Sequence, residues 1–112
     1  MSAVEQALIK YATSSSGTTS ASGDTSLVVV PASKRFKLIS AIISAPGGAN
    51  NIILKAGAVA TPTFVFAAAA APLVLNYNPA GWIFGPLDGD FIINLSAATA
   101  ANIVYTYFLW DS

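Results

Sequence analysis

Cysteine and histidine are both absent from the 112-residue sequence. Without cysteine there are no disulfides, no thiolate metal sites and no thiol nucleophiles. Without histidine the chain lacks the commonest general base and the commonest transition-metal ligand. The few carboxylates, lysines and hydroxyl groups have no evident activating partner beside them in the sequence. We therefore predict that the protein is not an enzyme and uses no cofactor and no metal ion.

Charge is also scarce. Charged residues make up 9% of the chain, and five basic residues balance five acidic ones, whereas about 25% is usual in soluble domains. The chain therefore lacks the basic surface that nucleic acid requires. Little charge repulsion keeps copies of the chain apart. This composition favours a chain whose apolar surface is covered by other subunits over a simply apolar monomer.

One uncharged stretch is long enough to raise the question of a membrane. Residues 56–75 comprise 20 residues without a charge, and about 20 apolar residues span a bilayer as a helix. Pro62 and Pro72 interrupt the stretch, and each costs a helix interior about 3 kcal/mol. The alternation around Phe64 and Phe66 is typical of a strand. We therefore predict no membrane segment.

The N-terminus also lacks the features of a secretion signal. Glu5 and Lys10 fall where such a signal would need an apolar core.

From Leu27 onward, short runs of β-branched and aromatic residues alternate with turn signals. Residues 51–56 show the pattern clearly, with Ile52 and Leu54 on one face. Seven or eight such runs, spaced by about 8–12 residues, are typical of a sandwich or a closed barrel. We predict an all-β domain over residues 27–112.

The first 26 residues differ from the rest, and we predict that they form an N-terminal arm and a tether. Residues 13–26 consist almost entirely of serine, threonine and glycine, which indicates a flexible loop. The residues before them fit either a helix, with Ser2 and Glu5 spaced as a capping box, or an extended arm that ends in a strand. We favour the arm. Apolar residues beyond a tether imply a docking surface elsewhere, and here they are Val4, Leu8, Ile9 and Tyr11.

Two predicted strands are apolar on both faces, although one face of an antiparallel sandwich strand is normally wet. Strict alternation divides the first strand, residues 35–45, into two faces: Phe36, Leu38 and Ile42 on one, and Ile39, Ala41 and Ile43 on the other. The second strand, residues 103–110, divides in the same way: Val104, Phe108 and Trp110 oppose Ile103, Tyr105, Tyr107 and Leu109. We infer that the outer face is covered, which favours an oligomer.

The sequence Asn-Pro-Ala-Gly-Trp at residues 78–82 has the features of a tight corner. Asn78-Pro79 favours the start of a turn, and Gly81 can adopt a positive φ that lets the chain reverse. The direction of Trp82 is then fixed, and we predict that its ring is mostly buried over an open end of the core. We interpret these residues as a structural corner.

A second turn, Leu87-Asp88-Gly89-Asp90, holds two carboxylates at positions i and i+2, as half of a calcium loop would. The further oxygen ligands and the distal glutamate of such a loop are missing. Asp-Gly is also a strong turn dipeptide. We predict a turn without a metal ion.

Several short segments between residues 7 and 107 carry a family resemblance. They are "KYAT", "SSG", "TSLVVV", "SKRFKLIS", "LVLNYNPAGW", "LSAA" and "IVYTY". Together they resemble the jelly-roll capsid decoration (cement) proteins of tailed bacteriophages. The most specific part is the corner at residues 78–82, followed by the strand at residues 93–96. The sequence departs from the family at Ile83 and Phe84, where more polar residues are expected.

The resemblance implies a fold, a function and a partner. The fold is an antiparallel β-sandwich of the jelly-roll type, with about eight short strands and an extended N-terminal arm. The function is that of a structural virion protein, made in the host cytoplasm, that binds the outside of an assembled head at three-fold positions as a homotrimer. Its partner is the major capsid protein, which it holds to its neighbours. The alternative is a trimeric receptor-binding or fibre-tip domain of a phage particle.

We predict that capsid contacts come from the arm and from a basic group early in the sandwich. These residues are Val4, Leu8, Ile9, Lys10, Tyr11, Lys34, Arg35 and Lys37. Two interpretations fit the basic group. It is either a solvated strand end that blunts edge pairing or an electrostatic contact with an acidic capsid surface.

Overall fold

The fold consists of β-strands and connecting turns. The computed structural model describes residues 12–67, 72–78 and 81–111, and it contains no helix within these ranges. Consequently no helix in the described part of the chain is long and apolar enough to cross a membrane. The strands are β1 (Thr13–Thr19), β2 (Gly23–Val28), β3 (Lys34–Ser44), β4 (Asn50–Ala56), β5 (Val59–Ala60), β6 (Phe64–Phe66), β7 (Leu73–Leu75), β8 (Ile83–Phe84), β9 (Phe91–Leu95) and β10 (Ala101–Asp111).

The strands form two antiparallel sheets. The first sheet has the order β1-β10-β3-β7, with β8 also paired to β3, and the second has the order β2-β9-β4-β5, with β6 also paired to β4. β7 and β8 follow one another along the same edge of β3, and β5 and β6 do the same along β4. The ten segments therefore occupy eight positions, four in each sheet. The strands pair from the two ends of the chain inward: β1 with β10, β2 with β9, β3 with β7 and β8, and β4 with β5 and β6. This order confirms the predicted sandwich of the jelly-roll type.

The core lies between the two sheets and is rich in aromatic rings. Phe36 stacks on Phe91 with ring centroids 4.5 Å apart, and it also stacks on Tyr107 at 5.3 Å. Tyr105 contacts the Phe91 ring at 5.1 Å. Aliphatic side chains from β3, β4, β9 and β10 complete the core; they include Leu38, Ile43, Ile52, Leu54, Ile93, Leu95 and Ile103. Alternation along each strand places these residues on the inner face.

Residues 13–26 are not a tether, and this prediction was wrong. β1 pairs with β10 over its whole length, from Thr13 to Thr19, and β2 pairs with β9. Threonine suits strands, and short hydroxyl side chains hydrogen-bond across them. For example, Ser14 Oγ lies 3.0 Å from Thr106 Oγ1. The sandwich therefore includes β1 and β2 and does not start at residue 27.

A β-bulge in β3 overturns the predicted division of that strand into two faces. Thr106 pairs with Ser40 but Tyr107 pairs with Leu38, so Ile39 is an extra residue on β3. The bulge reverses the alternation. Phe36 and Leu38 therefore face the core together with Ala41 and Ile43, all of them buried. Ile42, predicted to lie beside Phe36, points outward instead.

Candidate functional site

The outer face of the first sheet exposes a row of aliphatic side chains. Val104, Ile42 and Val74 are cross-strand neighbours on β10, β3 and β7, and they are 54%, 48% and 51% exposed. Directly opposed residues on one face lie within contact distance. We call these three residues the aliphatic row. Folding does not require apolar side chains at these outward positions, so the row is a candidate contact surface.

An aromatic cluster lies on the same outer face, towards the start of β3. Lys37 is the register partner of Phe108 on one side and of Phe84 on the other. The Phe84 and Trp110 rings lie 4.6 Å apart, and the Phe108 ring stacks alongside Trp110 at 6.4 Å. We call Lys37, Phe84, Phe108 and Trp110 the aromatic–lysine cluster. Thr106 and Ser40 separate it from the aliphatic row along the strands.

Lys37 is held in a defined position within this cluster. Its Nζ atom lies 5.0 Å from the centroid of the Phe84 ring and 5.5 Å from that of Trp110, which is the range of cation–π attraction. Its aliphatic stem runs against Gly81, where a Cβ atom would come within 2.6 Å of Lys37 Cγ. Gly81 is therefore needed for the passage of this side chain as well as for its positive φ of 89°.

The predicted corner adjoins the cluster at the edge of β3. The amide of Asn78 donates to the carbonyl of Ile39 at 2.9 Å, and the amide of Trp82 donates to that of Leu38 at 2.7 Å. The amide of Gly81 closes a turn onto the carbonyl of Asn78 at 2.9 Å. The corner is thus fixed to β3 where the bulge lies. Pro79 lies outside the described residues.

Trp82 is not mostly buried, so this prediction was wrong. The side chain is 45% exposed. The backbone of the corner is hydrogen-bonded to β3 along the edge of the first sheet, and in this position the ring is not buried in the core. Its Nε1–H donates to the carbonyl of Asn76 at 2.7 Å, which fixes the ring orientation. Trp82 is therefore an oriented, partly exposed aromatic side chain at the edge of β3.

The outer face of the second sheet has a different character. Lys55 Nζ donates to Asp24 Oδ1 at 3.0 Å, and Asn94 Nδ2 donates to the same oxygen at 2.7 Å. These two hydrogen bonds, that from Asn94 foremost, lower the pKa of Asp24 below its ordinary value, and the charge of Lys55 acts in the same direction. The charges on this face are therefore satisfied within the chain.

The carboxylates of the second turn are occupied by the backbone. Asp88 Oδ1 accepts a hydrogen bond from the amide of Ser33 at 2.7 Å, and Asp90 Oδ1 accepts one from the amide of Val30 at 2.9 Å. They fasten the turn to the loop between β2 and β3. Across the described ranges, no three carboxylates are grouped as a metal site requires.

The basic residues predicted as capsid contacts lie at the beginning of β3. Arg35 and Lys37 have outward register positions opposite Trp110 and Phe108, and Lys34 lies opposite Asp111. The other predicted contacts, Val4, Leu8, Ile9, Lys10 and Tyr11, lie outside the described residues.

Sequence reasoning missed the aromatic partners of Lys37. On β10, Phe108 and Trp110 alternate with inward residues, and this pattern indicates that both rings lie on the outer face. Nothing in the sequence indicated that Phe84 would reach the same place, because its two-residue strand has no periodicity of its own.

Comparison with known proteins gives no relative. No protein-family model, curated protein or solved structure matches the chain significantly. Its function therefore has to be argued from its own residues.

Proposed function

We propose that the chain is a structural virion protein that binds the outside of an assembled phage head and stabilises the capsid. In this proposal it acts as a homotrimer at three-fold positions, and the major capsid protein is its partner. The observation that carries the proposal is the outer face of the first sheet, which exposes the aliphatic row and the aromatic–lysine cluster on a chain with little charge.

Two features of this face favour contact with protein. Aromatic side chains and arginine are enriched at protein interfaces, where large rings bury much area at a small entropy cost. Phe84, Phe108 and Trp110 share this face with Arg35. A basic stripe for nucleic acid is lacking, because only four basic residues lie in the described part of the chain and Lys55 is already paired with Asp24.

The resemblance to capsid decoration proteins supplies the location and the stoichiometry. It names the head exterior and the three-fold axis, and a jelly-roll sandwich with an exposed apolar face is compatible with both. A trimer with closed symmetry would also cover apolar surface between its subunits.

Co-sedimentation with heads tests this proposal. Heads of the encoding phage are prepared without the chain and incubated with the purified protein, and bound copies are counted after sedimentation. We expect saturation at three copies per three-fold position and greater resistance of the loaded heads to heat. Failure to bind heads would refute the proposal, and binding to host cells alone would favour the fibre-tip alternative.

A further inference from the structure

We propose that Lys37 anchors the outer face of the first sheet to an acidic patch on the capsid protein. The first sheet then faces the capsid, and the outer face of the second sheet faces solvent. This inference rests on the proposed function and adds an orientation and a central residue to it.

The first argument is that the Lys37 side chain is already ordered. A lysine normally loses much of its rotamer entropy when it is fixed in a contact. Here the rings of Phe84 and Trp110 hold the ammonium group, and Gly81 admits its stem. A carboxylate of the partner would therefore bind a lysine side chain that is already ordered in the folded protein. Binding would lose less side-chain entropy, which favours a tight complex.

The second argument concerns charge. Among the side chains that the structure describes, which do not include that of Asp111, no carboxylate lies at ion-pair distance from Lys37 or Arg35, whereas the ammonium of Lys55 lies 3.0 Å from Asp24 Oδ1. The two lysines thus differ in what they can still bind. Lys37 has its aromatic contacts but no counter-ion among these residues, and an acidic partner supplies one. This complementarity selects an acidic protein surface as the occupant.

The third argument concerns water. The rings of Phe84 and Trp110 lie against the cation, Phe108 stacks beside Trp110, and the aliphatic row lies further along the same face, beyond Thr106 and Ser40. Apolar groups around a charged contact exclude solvent once a partner has docked, which strengthens the contact. Nucleic acid fits less well because a single lysine and a neighbouring arginine neutralise few phosphates.

The test uses three variants with matched chemistry. Lys37→Met keeps the length and packing of the stem but removes the charge, and Lys37→Arg restores the charge. Lys55→Met removes the matching lysine from the second sheet. Attachment of each full-length protein to heads is measured by co-sedimentation at low and high salt. Melting curves and sedimentation velocity check the fold and the oligomer.

We expect Lys37→Met to weaken attachment about tenfold, as for the loss of one central contact, and to reduce the dependence of attachment on salt. Lys37→Arg should recover most of the affinity, and Lys55→Met should attach like the wild type. Unchanged attachment of Lys37→Met, an equal loss in Lys55→Met, or dissociation of the oligomer by Lys37→Met would each overturn the inference while leaving attachment of the wild type intact. Heads that do not bind the wild type at all would refute both proposals.

Discussion

The charged side chains on the two outer faces of the sandwich have different kinds of partner. On the second sheet, Asp24, Lys55 and Asn94 bind one another and leave little for a partner to add. On the first sheet, Lys37 lies among aromatic rings and lacks a described counter-ion, beside the exposed aliphatic row. The core needs only the inward residues of each sheet, so folding alone does not account for the difference.

The difference shows where the chain departs from what stability and solubility favour. Exposed apolar surface promotes association, and outward polar residues avoid it at no cost to the core. The first sheet departs from this rule across three neighbouring strands, at Val104, Ile42 and Val74. On the second sheet, Val65 of the short strand β6 is also exposed, but Asp24, Lys55 and Asn94 supply polar outward side chains. We infer that the first sheet carries the contact surface.

The largest expected effect is on the free energy of unfolding, and it comes from a comparison of a core phenylalanine with an outer-face phenylalanine of the first sheet. Phe36 is fully buried and stacked on Phe91, so Phe36→Ala should cost about 3–5 kcal/mol of unfolding free energy. Phe84 is 53% exposed on the outer face, and Phe84→Ala should cost less than about 1 kcal/mol. Urea unfolding of both variants measures this. A loss above about 2 kcal/mol for Phe84→Ala would mean that the outer face contributes to folding.

An intermediate effect should come from a polar residue inside the second sheet. Asn50 is buried at the start of β4. Its Nδ2 group donates to the carbonyl of Ala97 at 3.1 Å and to Thr99 Oγ1 at 3.0 Å, and its Oδ1 atom accepts from the amide of Ser96 at 3.0 Å. Asn50→Ala would leave several of these groups without partners, and we expect a loss of about 2–3 kcal/mol.

The matched control for this change is Asn94→Ala, which removes an asparagine from the outer face of the same sheet. Water can replace its bond to Asp24, so the loss should be much smaller than that of Asn50→Ala. Equal losses for the two variants, measured by urea unfolding, would show that the polar outer face is as important to folding as the buried asparagine.

The longer strands after residue 34 could be located from the sequence because their pattern is local. In β4 and β9, inward and outward residues alternate without interruption, as in Ile52, Leu54 and Ala56. Gly and Pro mark the turns between strands. These signals place most of the core, since most inward positions of these strands hold apolar side chains.

The edge strand β1 could not be predicted because its inward positions are small. A Cβ atom on Gly17 would lie 2.8 Å from Leu27 Cδ2, so Leu27 fills the space that a larger β1 side chain would occupy. A strand that packs through small residues has no hydrophobic period and reads as a flexible segment.

The candidate site was predicted only in part, for a related reason. Arg35 and Lys37 were identified from charge alone, but their aromatic neighbours come from strands distant in sequence. The bulge at Ile39 also changes the phase of β3. A one-residue change of phase exchanges the two faces of a strand, and no local pattern reveals it.

The smallest effect should come from the paired charges of the second sheet. Hydrogen bonds from Asn94 and Lys55 lower the pKa of Asp24, so its ionised form is favoured in the folded protein. A lowered pKa stabilises the fold at pH values above the pKa of the unfolded chain, and this contribution disappears as the pH falls through the folded pKa. Asp24→Asn should therefore reduce the melting temperature slightly at neutral pH.

Melting curves of wild type and Asp24→Asn at about pH 7 and about pH 3, on either side of the ordinary range of an aspartate, measure this difference. We expect the gap between the two proteins to narrow in acid and with added salt, because the interaction is exposed to solvent. Attachment to heads should be the same for both proteins, since the second sheet faces solvent in the proposed orientation. A gap that widens in acid would contradict the lowered pKa of Asp24. Weaker attachment of Asp24→Asn would place the second sheet, and not the first, against the capsid.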